Sequence, residues 1–174
     1  MHRLFVAIEL PVAVRDVLLA AMGGVGGARW QRDDQLHLTL RFIGEVDRHA
    51  AQDIAAALAG VRHPTFELAL TEPGVFDRRG RINTLWVGVA PYAPVHALHN
   101  KVDAALRRAG VPPDGRAFHP HITVARFGRT ALGAADWLPL APVAMSFEVA
   151  GFALYESTLG HDGADYRIVE RYTL

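Results

Sequence analysis

The sequence contains no cysteine, which removes disulfides, thiolate metal sites, iron–sulfur clusters and cysteine nucleophiles from consideration. It also lacks any net charge, because 18 basic residues balance 18 acidic ones. Bulk electrostatics therefore cannot hold nucleic acid, and any such contact must come from a local site. Lysine is almost missing: Lys101 is the one lysine among the basic residues. The opening apolar run, MHRLFVAIEL, is too short to span a membrane and lacks the small-residue pattern of a cleavable leader. The expectation is a soluble, cytoplasmic protein with no membrane partner.

What is present is an ordinary globular composition, 51% hydrophobic and 21% charged over 174 residues. Such a chain buries enough apolar surface to fold, and its length suits one domain or two small lobes sharing a cleft. Leu4 to Ile8 reads as a buried strand. Val14, Val17, Leu18 and Ala21 follow at helical spacing up to Gly23–Gly24. A strand over Leu36–Ile43, a helix through Ala51, Ile54, Ala55 and Leu58, and a strand region over Phe66–Phe76 broken by Pro73–Gly74 come next. The order then repeats. Leu85–Val89 is a strand, Val95, Leu98, Val102 and Leu106 mark a helix closed by Gly110 and Pro112, and His121–Ala125 is a strand. A short helix near Ala134–Leu138 and strands over Ser146–Tyr155 and Tyr166–Tyr172 complete the chain. The pattern predicts an α+β fold of two pseudo-symmetric lobes from an internal duplication, with antiparallel-rich sheets flanking a central groove and helices outside. Residues 1–174 form one bilobal domain on this reading, and the loop Asp77–Arg81 is the expected crossing between lobes.

The chemistry lies in two matching tetrapeptides, His37-Leu38-Thr39-Leu40 and His121-Ile122-Thr123-Val124. Side chains alternate faces along a strand, so His37 shares a face with Thr39, and His121 with Thr123, while the apolar residues face a core. Two such copies are expected by chance in roughly one chain in two hundred of this composition. Imidazole titrates near neutral pH, so a facing pair supplies a general base and a general acid on opposite sides of one phosphorus or carbonyl centre. The threonine hydroxyls can donate to oxygens of the bound group. Two histidines and two threonines about a cleft suit in-line displacement at a phosphodiester without a metal or other cofactor. These residues alone do not say which histidine is acid and which is base.

The segments RLFVAIELP (3–11), HLTLRFIGEV (37–46), FHPHITVARF (118–127) and GFALYES (151–157) closely resemble the two-histidine phosphoesterase superfamily. Within it the resemblance is to bacterial RNA 2′,3′-cyclic phosphodiesterases, historically called 2′-5′ RNA ligases. It implies a bilobal α+β fold with the motif strands side by side. It also implies hydrolysis of an RNA or nucleotide 2′,3′-cyclic phosphate to a 2′-phosphomonoester, with His37 as proton donor and His121 as proton acceptor. The family arginine five residues after the second histidine matches Arg126, which joins Thr39 and Thr123 as phosphate-binding residues. Strict alternation puts Arg126 on the face opposite His121, so it reaches the groove only if the strand ends or bulges first.

Other readings stand beside this one. The same acid–base pair supports joining RNA ends through a 2′-5′ linkage. A small-molecule phosphodiesterase acting on 2′-5′ oligonucleotides or ADP-ribose cyclic phosphate, and a catalytically retired RNA- or nucleotide-binding module, are further alternatives. The plainer alternative makes both histidines satisfied core residues, the threonines plain strand formers, and Arg126 a structural or rim ion pair. Arg41 shares parity with His37 and Thr39 but reads best as an exposed strand-end residue. His119 with His121 has metal-pair spacing without a nearby carboxylate, His96 and His99 sit three apart on a helix, and both pairs read as incidental. Arg78, Arg79 and Arg81 read as a solvated turn. Phe42, Phe127 and Tyr155 are candidates for stacking on a base, with core packing the default. Nothing resembles a coiled coil, and a monomer is expected.

Overall fold

A computed structural model describes residues 1–128, 144–160 and 163–174. The expected helix at Ala134–Leu138 lies outside the described residues. The elements in chain order are β1 (His2–Glu9), α1 (Val12–Ala21), β2 (Ala28–Trp30), a 3-10 turn (Asp33–Gln35), β3 (His37–Val46), α2 (Arg48–Leu58), β4 (Phe66–Arg78), β5 (Arg81–Ala90), α3 (Tyr92–Arg108), β6 (His121–Phe127), β7 (Ser146–Val149), β8 (Gly151–Gly160) and β9 (Gly163–Thr173). The fold is α+β, as the pattern predicts. No helix among the described residues is long and apolar enough to cross a membrane.

Among the described residues nine strands form one antiparallel sheet in the order β7-β4-β5-β6-β3-β1-β8-β9, with the short β2 beside β6. The three described helices send their apolar stripes to one face: Val14 and Leu18 from α1, Ile54 and Leu58 from α2, and Val95, Leu98, Val102 and Leu106 from α3. They meet Leu4, Val6, Ile8, Leu38, Leu40, Ile122 and Val124 from the sheet. Burying a leucine or isoleucine fully is worth about 1.5–3 kcal/mol, and this continuous layer fixes which strand residues point away from it. A smaller cluster, Phe5, Ala7, Ala153 and Tyr155, covers the other face of β1. That explains why β1 reads as an unbroken apolar run: it is buried on both faces.

The sheet has two halves, but the chain does not cross between them where expected. Residues 77–81 form a tight hairpin: Arg78 pairs with Arg81, and Arg79 and Gly80 both adopt positive φ, the two-residue turn that matches strand twist. Asp77 accepts from the Gly80 amide at 3.0 Å. The basic cluster is an exposed turn inside one half. Consecutive strands joined by so short a link pair with each other, so β4 joins β5 and not the β1 half. The crossings fall instead between α2 and β4 and at Ala150. There the expected single strand 146–155 divides, β7 pairing with β4 and β8 with β1. Pro73–Gly74 bulges β4 against β5 without ending it.

Candidate active site

β3 and β6 meet at one register pair, Leu38 with Ile122. Antiparallel register then sets His37 toward Thr123 and Thr39 toward His121, on the face the helices do not cover. All four side chains line one groove of about 740 Å³.

Each imidazole is held in the same way. His37 Nδ1 lies 2.7 Å from the carbonyl oxygen of Gln35, and His121 Nδ1 lies 2.7 Å from that of His119. A carbonyl only accepts, so Nδ1 carries the proton in both rings and Nε2 is left for chemistry. Aromatic rings pack around each: Phe5 at 5.0 Å and Tyr166 edge-on at 5.2 Å from His37, and Phe76 edge-on at 4.8 Å and Trp86 at 6.1 Å from His121. Trp86 lies flat over Gly74, where a Cβ would sit 2.3 Å from the indole, so only glycine allows that wall to close.

Desolvation disfavours imidazolium. Burial pushes His37 down to about 4 against the opposing bond to Gln35, with the Arg126 and His121 charges adding to the fall. His121 is lowered too, by burial first, opposed by the His119 carbonyl and helped by the His119 and Arg126 charges. Both shifts favour the neutral ring. An anion bound between them reverses the electrostatic part of this shift.

Arg126 reaches the groove, and a bulge brings it there. Opposite β5, Leu85 pairs with Ala125 but Trp86 pairs with Thr123, leaving Val124 as the extra residue. Val124 and Ala125 are consequently both buried, and Arg126 swings to the histidine face. β3 carries the same device. Val6 pairs with Arg41 and Ala7 with Thr39, so Leu40 is extra and Phe42 emerges in the groove, 47% exposed. This bulge overturns the expectation for Arg41. Turned onto the helix side, it is 5% exposed and donates to Asp103 at 2.8 Å and to the carbonyls of Phe42 and Pro112. It is neither a phosphate ligand nor an exposed strand end.

The two bulges give the groove unlike walls. Phe42, Phe5 and Tyr155 are cross-strand partners on β3, β1 and β8. Phe76, Thr84, Arg126 and Arg29 are partners in a row across β4, β5, β6 and β2. One wall is aromatic, and the other ends in hydroxyl and guanidinium groups. Of the stacking candidates, Phe42 alone is exposed in the groove. Phe127 packs partly buried against the core, and Tyr155 is buried and stacked on Phe5 at 5.0 Å. His96 stacks on Tyr92, while His99 stacks on Phe118 at 4.0 Å and bonds the Leu40 carbonyl. Among the described residues no group of three or more histidines and carboxylates is placed to hold a metal ion.

Sequence reading missed Phe5, Tyr166, Phe76 and Arg29. Phe5 is hidden in a uniformly apolar strand. Arg29 stands on a strand whose register is fixed by a partner far away in the chain, Arg126, whereas Phe76 and Tyr166 pair with Thr84 and Ser157 close by in sequence.

A family model for the 2′-5′ RNA ligase superfamily matches residues 20–161. An Aeropyrum pernix protein named RNA 2′,3′-cyclic phosphodiesterase is 36% identical over 140 residues, covering 78% of this chain and 80% of its own. An Escherichia coli protein of the same name is 31% identical over 177 residues, covering 99% and 97%. The crystal structure of E. coli LigT complexed with 3′-AMP superposes with a TM-score of 0.84 at 31% identity, over 99% of this chain and 98% of that one. The structure of TT0787 of Thermus thermophilus gives 0.86 at 27% identity, over 99% and 97%.

Proposed function

Since this chain belongs to the 2′-5′ RNA ligase superfamily, we propose that it hydrolyses the 2′,3′-cyclic phosphate of an RNA end or nucleotide to a 2′-phosphomonoester, and that residues 1–174 act as one bilobal catalytic domain. His121 Nε2 takes a proton from water as the water oxygen bonds to phosphorus. The P–O3′ bond breaks on the opposite side, and O3′ takes a proton from His37 Nε2. Proton exchange with solvent then resets both rings. Thr39 and Thr123 donate to the non-bridging oxygens, and Arg126 neutralises their charge. No metal or organic cofactor takes part.

The observation that carries this reading is the pairing of the two histidine–threonine motifs about the Leu38–Ile122 rung, with both Nδ1 atoms tied to carbonyls. The direction of proton flow follows the family resemblance, in which the first motif histidine is the donor and the second the acceptor. Hydrolysis is favoured over 2′-5′ joining because water far outnumbers any polynucleotide hydroxyl. Product identification on a nucleoside 2′,3′-cyclic phosphate tests the reading. The 2′-phosphate is expected, and the 3′-phosphate, or no product, contradicts it.

A further inference from the structure

β3 and β6 separate after the Leu38–Ile122 pair, and the three-residue β2 takes up the vacated side of β6. That placement sets Arg29 directly opposite Arg126. Like charges in this position oppose each other and weaken the pairing. Acidic groups stand close by, yet they are used elsewhere: Asp34 and Asp165 bind Arg32, and Asp33 binds Arg15. No carboxylate among the described residues pairs with Arg29 or Arg126. Both guanidinium groups line the catalytic groove and also a side cavity of about 190 Å³ that continues it, roofed by Gly163, Ala164 and Tyr166. The Gln35 side chain donates to the Ala164 carbonyl at 2.7 Å and pins that roof.

Two guanidinium groups at the mouth of a side cavity, with no carboxylate partner among the described residues, call for a second anion. We propose that Arg29 forms a subsite for the phosphodiester on the 5′ side of the terminal nucleotide, so that the enzyme prefers an oligonucleotide end over a mononucleotide. This rests on the hydrolase reading above. A terminal ribose whose cyclic phosphate lies between His37 and His121 carries one other backbone phosphate, and a mononucleoside cyclic phosphate lacks it. The forked guanidinium suits that group better than a lysine ammonium. Arg29 is exposed, so its replacement leaves the core intact.

The test compares kcat/KM for a dinucleotide ending in a 2′,3′-cyclic phosphate with that for the matching mononucleoside 2′,3′-cyclic phosphate, in wild type, Arg29→Gln and Arg29→Lys. The expected result is a wild-type preference for the dinucleotide, a roughly tenfold fall in that preference in Arg29→Gln, and partial recovery in Arg29→Lys. The slope of log kcat/KM for the dinucleotide against log salt should also become shallower in Arg29→Gln by about 0.7, one phosphate contact on a single strand. An unchanged preference in Arg29→Gln, whether both substrates lose rate together or neither does, overturns the subsite while leaving the hydrolase reading intact. A wild type inactive on both overturns the hydrolase reading and the subsite with it.

Discussion

Leu38 and Ile122 face each other across the one register pair, among the described residues, that joins the two halves of the sheet. Both are fully buried under the helices, and the residues on either side of each are the histidines and threonines of the groove. The same rung therefore anchors the core and sets the spacing of the two histidines. Core packing and groove geometry are thus one constraint, and a shift of register by one residue would move both motifs to the wrong face.

The groove lining offers imidazole, hydroxyl and guanidinium groups, and no carboxylate among its described residues. That set suits a phosphate anion and is poor for a hard divalent cation. Activity on a 2′,3′-cyclic nucleotide is expected to survive millimolar EDTA undiminished. A loss restored by added metal would refute the metal-free mechanism.

Arg126 faces the groove because Val124 is bulged out of register. Arg126→Gln should lower kcat/KM by about 10–100-fold, the range for losing a charge-assisted contact to an anion, with the melting temperature nearly unchanged. Near-wild-type kinetics would place the side chain off the reacting group.

Arg41 belongs to the scaffold. Arg41→Ala leaves Asp103 and two carbonyls without their donor, and urea unfolding should show a loss of about 3–5 kcal/mol. A loss below about 1 kcal/mol would mean that the site is solvated.

His37 links pH to stability. Its folded-state value near 4 lies below the ordinary 6.5, so between these values the unfolded chain binds more protons. The stabilisation is full above pH 6.5 and is lost as pH falls through 4, by about 3 kcal/mol in total. Stability curves for wild type and His37→Gln should converge over this window as pH drops. Parallel curves would show that His37 is not the group responsible.

The local pattern carried much of this. Apolar periodicity placed the three described helices and the long strands, and the doubled histidine–threonine motif marked the groove floor. The features that sequence left dark depend on register between distant segments. Arg126 and Arg41 exchange sides through bulges defined only against β5 and β1. Arg29 acquires meaning from the strand it lies against, and the crossing at Ala150 from β7 and β8 choosing different partners. Period-two alternation cannot see an extra residue, and a three-residue strand such as β2 has no period to read.

The proposed hydrolysis requires that His37 and His121 act together on one phosphorus atom. Single-turnover rates on a 2′,3′-cyclic nucleotide for His37→Ala, His121→Ala and the double variant test it most directly. Each single change should cost about 10²–10⁴ in rate, and the double should be little slower than the worse single, because groups acting as a unit are not additive. Near-full rate in either single variant, or losses that multiply in the double, would contradict it.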